Sequence, residues 1–194
     1  MVTKPRSSKK LDSYSAKLGE TILSWNTAEG ALRSLLSTVC GASNATRILT
    51  AELGSRGLTD GLNAIAVTLP IEQRRAVEHV VAVYDRLREY RNYYVHGITA
   101  MGQIGDDIVG MTFMQSAKGK LGYATDFVEA ATLVDIEERA RALAAAISDT
   151  EDAIYPRPGS FADPPLPSPE TLPLPDRLKK TLLYPLNEPR PPQP

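Results

Sequence analysis

Apolar residues recur at spacings of three and four along much of the chain, and this rhythm predicts a helical protein. Leu11, Tyr14, Leu18, Ile22, Trp25, Leu32, Leu36 and Val39 keep to one stripe until Gly41, which predicts a long amphipathic helix over Leu11 to Cys40. Gly19 and Gly30 fall inside it, where each costs about 1 kcal/mol relative to alanine, and they are read as points of close approach by another helix. Ser43 is placed to cap a short helix ending at Gly54, and Thr59 to cap another that carries Leu62, Ile65, Ala66 and Leu69. Pro70 suits the first turn of a second long helix, in which Val77, Val80, Val81, Tyr84, Leu87, Arg91 and Tyr94 form the stripe and which extends to about His96.

The pattern changes after Gly97. Ile108 to Gln115 is β-branched and apolar in patches, Ala117-Lys118-Gly119 is a turn signal, and Lys120 to Val128 returns as a second strand, so a β-hairpin is expected. Thr132 with Asp135 resembles a capping pair for a last helix whose stripe is Leu133, Ile136, Ala140, Leu143, Ile147 and Ile154. Of the 15 prolines, all but Pro5 and Pro70 lie from Pro156 onward, a composition that offers few donors and little apolar surface for a core. That stretch is expected to be an extended, mobile tail. Pro164-Pro165-Leu166-Pro167 and Pro189-Arg190-Pro191-Pro192 are polyproline-like, and Leu174 to Leu186 is the part suited to folding back on the body or a partner. The expected fold is therefore mainly α: an antiparallel bundle of four to five helices, a β-hairpin inserted before the last helix, and a disordered proline-rich C-terminal tail. The corresponding division is a flexible basic arm at 1–10, a bundle at 11–155 with the hairpin at about 98–128, and the tail at 156–194.

Composition narrows the function classes. A chain of 194 residues, 42% hydrophobic, has material for one core and an appendage. A formal charge of -1 supplies no global positive field for nucleic acid, so any polyanion site must be local. Lys4, Arg6, Lys9 and Lys10 make the N-terminus basic, but no apolar run follows as in a secretory leader, and no stretch has the length of a membrane span. The lone Cys40 cannot form an internal disulfide and is read as a small apolar residue at a helix end. A cytoplasmic protein without membrane attachment is expected.

Two histidines and one cysteine give no zinc spacing, no Gly-rich phosphate loop with its lysine is present, and no serine sits in a nucleophile elbow. No metal or cofactor is expected. What remains is Arg91-Asn92-Tyr93-Tyr94-Val95-His96-Gly97, at the end of the second long helix. Arg91 is seven residues after Tyr84 and eleven after Val80, so the guanidinium points where apolar groups point, a costly placement unless it meets an acceptor or a bound anion. His96 lies about 140° round the helix from Arg91, and Asn92, four residues before it, is placed to orient the imidazole. A histidine can move a proton to or from a ribose 2′-hydroxyl or the leaving oxygen of a phosphodiester, while an arginine stabilises charge on the phosphoryl oxygens. Two acid-base groups are usually needed. His79 is roughly 25 Å of straight helix from His96, so a second His96 from a two-fold dimer is the expected source. Arg74 and His79 have the same spacing, but only Arg91 is followed by Asn and only His96 by Gly; His79 is read as an exposed helix residue. Arg86 and Arg88 are candidate RNA phosphate contacts, with Asp85 and Glu89 interleaved so that a solvated face is equally in view. Asn26 and Glu29 are read as solvent-facing polar residues in preference to support for Arg91.

The stretch from Arg91 to His96 resembles the R-x4-H signature of the HEPN superfamily, in which a polar residue commonly follows the arginine. The likeness covers about residues 11–155, with a strict motif only at 91–97. It implies a helical bundle that dimerises with both signatures in one cleft. It further implies a metal-independent endoribonuclease acting as a homodimer, of the kind found among toxins and phage-defence effectors, with RNA as substrate and an antitoxin as further partner; a tail-binding protein is the partner that the proline-rich segment itself would recruit. Arg91, His96 and Asn92 would be its catalytic residues. Other members bind RNA, a nucleotide or a protein without catalysis, and that is the alternative. The hairpin and the proline-rich tail depart from the family's pattern.

Overall fold

A computed structural model describes residues 6–96, 98–104, 108–117, 120–128, 130–156, 164–178 and 184–185, and the side chains of 12–94, 131–156 and 164–178. The chain is mainly helical: α1 (Arg6–Val39), α2 (Asn44–Ala51), α3 (Ser55–Ala66), α4 (Ile71–His96) and α5 (Ala130–Ile154). The stripes read from the sequence supply the core. Trp25, Leu32, Leu36, Leu62, Val77, Val80, Val81, Tyr84, Leu87, Leu143 and Ile147 are all buried in one cluster. None of the helices is long and apolar enough to cross a membrane, among the residues described.

Local chemistry explains most of the ends. α1 stops in a Schellman turn, with Gly41 at φ +98° and the Ala42 and Gly41 N–H groups donating to the Ser37 and Thr38 carbonyls. The Ser43 hydroxyl accepts from the Thr46 N–H at 3.1 Å and starts α2. Thr59, by contrast, is not a cap. It is buried inside α3, which begins at Ser55 behind Gly54, because Leu58 extends the apolar stripe of Leu62 and Ala66 one turn earlier. Nor do Thr132 and Asp135 form a capping pair. α5 already begins at Ala130, and Asp135 is taken by Arg139 one turn on, at 2.8 Å. α1 starts at Arg6, inside the stretch read as an arm.

Cross-helix contacts fix the directions of the three long helices. The Thr21 hydroxyl donates to the Leu133 carbonyl, and Ser34 and Thr38 donate to Glu151 at 3.0 and 2.7 Å, so α1 and α5 run parallel. Gln73 reaches the Ala153 carbonyl, while Tyr14 at the start of α1 shares a cluster with Tyr93, Tyr94, Leu133 and Ile136. α4 therefore runs antiparallel to both, which makes α1, α4 and α5 an up-down-up set. Buried Glu137 of α5 is held by Lys17 of α1 and by Arg141. Gly19 and Gly30 mark no close approach: a Cβ at either would meet nothing within 4 Å. The close approach is at Gly61, where a Cβ would lie 3.1 Å from the Leu36 side chain.

The expected two-stranded hairpin is not supported. The backbone between α4 and α5 follows three antiparallel strands, β1 (Ile98–Ile104), β2 (Ile108–Ala117) and β3 (Lys120–Val128), and β4 (Tyr184–Pro185) pairs with β3. β1 carries no alternating signal in the sequence, since Ile98, Met101 and Ile104 recur at three, not two. The turn expected at Lys118-Gly119, the stop at Gly97 and the motif at 189–192 lie outside the described residues.

The expectation of a disordered tail is corrected for residues 164–178. This segment lies against α4 and α5, with Leu172 buried in the main core cluster and Leu178 packed on the tyrosine cluster. Ser168 closes a turn by accepting from the Thr171 and Leu172 N–H groups, and the turn presents Leu172 inward. Leucines spaced among prolines thus supply apolar surface that overall composition does not reveal.

Candidate functional site

α4 is helical through His96, so the spacing from Arg91 to His96 keeps them about 140° apart on the backbone. The Arg91 side chain is half-buried, and its Nη1 donates to the Asn92 Oδ1 at 3.1 Å. Asn92 itself is exposed. Between Arg91 and His96, Tyr93 and Tyr94 are buried and meet edge to face, with ring centroids 5.2 Å apart. They anchor this end of α4 to Tyr14, whose hydroxyl is pushed well above its ordinary range by burial and by Tyr94. The structure thus brings Arg91 and Asn92 together on a fixed aromatic base. The imidazole of His96 lies outside the described side chains.

The two candidate RNA contacts are engaged within the chain. Arg86 Nη1 donates to the Pro175 carbonyl at 3.3 Å, and Arg88 Nη2 lies 2.9 Å from Asp85. Burial pushes the Asp85 carboxyl up, against the pull of Arg88. His79 is not an exposed helix residue. It is half-buried, with Nε2 2.8 Å from the Leu172 carbonyl, and since a carbonyl only accepts, Nε2 carries the proton. The signal for it was available: His79, Arg86 and Tyr90 are donors spaced by seven and four on one helical face.

Glu29 does not face solvent alone. Its carboxylate accepts from the Tyr84 hydroxyl at 2.9 Å, from the Ser55 hydroxyl at 2.7 Å and from Arg33 at 3.2 Å, joining α1, α3 and α4. Burial pushes the Glu29 carboxyl up, but the hydrogen bonds from Ser55, Tyr84 and Arg33 outweigh it and hold the group below its ordinary range. Arg33 also donates to the carbonyls of Thr50 and Leu53, and Trp25 stacks on Tyr84 with centroids 4.6 Å apart. Asn26 is exposed and takes no part. A buried tyrosine hydroxyl needs a partner, which was the clue. Cys40 is exposed, not a packed helix end.

A further cleft of about 290 Å³ is lined by Arg33, Ser34, Thr38, Arg47 and Glu151. Glu151 is held there by the two hydroxyls, and its carboxylate disfavours an anion. Comparison with family models, with curated proteins and with solved structures finds no match.

Proposed function

We propose that the chain is a metal-independent endoribonuclease of HEPN type that acts as a homodimer, with the signature of each copy lining one cleft and the strands between α4 and α5 as an insertion in the bundle. The observation that carries this reading is Arg91: a guanidinium half-buried at the end of α4 on the stripe that also carries Val80, Tyr84 and Leu87 into the core, held by Asn92 beside it. In this reading Arg91 binds the scissile phosphate and stabilises charge on its non-bridging oxygens. His96 takes the proton from the ribose 2′-hydroxyl, the oxygen attacks phosphorus, and the 5′-oxygen leaves with a proton from the partner copy's imidazole. The product carries a 2′,3′-cyclic phosphate. The Asn92 carbonyl oxygen accepts from Arg91, so in this reading Asn92 positions the guanidinium that meets the phosphate.

Cleavage of RNA in EDTA by wild type, Arg91→Ala and His96→Ala is the test. Loss of at least about a hundredfold in both variants, with cyclic phosphate ends from the wild type, is expected. Equal cleavage by all three removes the reading.

A second reading is supported by Arg86 and Arg88, which are already partnered within the chain, and by the net charge of -1. It is a non-catalytic module of the same type that binds RNA, a nucleotide or a protein. It predicts retained binding with no turnover.

A further inference from the structure

His79, Arg86 and Tyr90 form a row along one face of α4 and donate, respectively, to the carbonyls of Leu172 at 2.8 Å, Pro175 at 3.3 Å and Asp176 at 3.0 Å. The opposing segment, 164–178, presents acceptors. Pro173 and Pro175 have no N–H, and the N–H groups of Thr171 and Leu172 are spent on the Ser168 carbonyl at 3.1 and 2.8 Å. A helix face that places three donors opposite the main-chain acceptors of an extended chain is matched chemistry for proline-rich recognition. Side-chain selection rests on Leu172, which is 6% exposed, whereas Leu174 is 47% exposed. Packing around the segment is incomplete: cavities of about 390 and 300 Å³ flank it, the first against Arg75 and His79, the second against Val83 and Arg139.

We propose that this face of α4, with the adjoining part of α5, is a docking groove for an extended leucine- and proline-rich segment. The chain fills the groove with its own residues 164–178, and a free segment of the same chemistry exchanges with them. Recognition is by three main-chain carbonyls, with Leu172 as the buried anchor and Leu178 packed on the tyrosine cluster. The tether gives the resident segment an advantage of the order of millimolar effective concentration.

The test uses full-length protein and a fluorescein-labelled peptide of residues 164–178. Full-length Leu172→Asp, whose own segment no longer seats, is expected to bind the peptide at least about tenfold more tightly than wild type, where the tethered segment competes. A peptide carrying the same Leu172→Asp change is expected to bind neither. Binding to neither protein, or equal binding to both, overturns the proposal. A second measurement does not depend on the folding of Leu172→Asp. In full-length Arg86→Ala/Tyr90→Phe, which keeps Leu172, hydrogen exchange across 164–178 is expected to accelerate by about fivefold or more with α1 unchanged. Unaltered exchange there overturns the groove as the recognition surface.

Discussion

Tyr84 shows how one residue can serve core and polar network together. Its ring stacks on Trp25 within the main cluster, and its hydroxyl donates to Glu29. Tyr84→Phe keeps the ring and removes one charge-assisted hydrogen bond, so it should cost about 2 kcal/mol in urea unfolding. Glu29 adds a pH dependence. Its folded-state pKa lies below the ordinary glutamate value of about 4.3, so the folded protein binds that proton less readily than the unfolded chain. The stabilisation is complete above that value and is lost as the pH falls through it toward the folded-state pKa. Unfolding midpoints at pH 7 and pH 3.5 should therefore differ less for Glu29→Gln than for wild type. At this scale the sequence revealed where Arg91 and Tyr84 sit but not what Tyr84 bonds. A tyrosine on an apolar stripe counts as apolar, and its partner lies 55 residues away on another helix.

Among the elements, the three long helices were legible because each carries a stripe long enough to outweigh its interruptions. Gly30 is such an interruption. It is exposed, in mid-helix, with nothing for a methyl group to strike, so Gly30→Ala should stabilise the protein by about 1 kcal/mol, seen as a raised thermal midpoint. Gly61→Ala should not, since Leu36 stands 3.1 Å from the added carbon. Thr59 and Thr132 look like caps in isolation, but Leu58 carries the apolar stripe of α3 one turn earlier, and Asp135 is engaged by Arg139 and not at the helix start.

For the whole molecule, the up-down-up order of α1, α4 and α5 leaves a face of α4 that the last helix does not fill, and residues 164–178 occupy it. Leu172→Ala should accordingly cost about 2 kcal/mol or more, a core penalty from a residue that composition assigns to a tail. Proline content conceals this docking because His79, Arg86 and Tyr90 of α4 supply the donors and the segment supplies only carbonyls to them. The segment also reaches the signature end of α4, where Leu178 packs on the cluster containing Tyr93 and Tyr94. How two copies would assemble around Arg91 and His96 is a property of the pair and is not written in one chain's periodicity.

Subunit mixing addresses that assembly directly. Wild type and His96→Ala, combined in equal amounts, unfolded and refolded together, should form dimers at random. If the working site needs both imidazoles, cleavage per total chain falls to about a quarter of the wild-type value, the fraction of dimers with two wild-type copies. A fall only to about half would mean that each copy works alone, and would contradict the shared site on which the proposed activity depends.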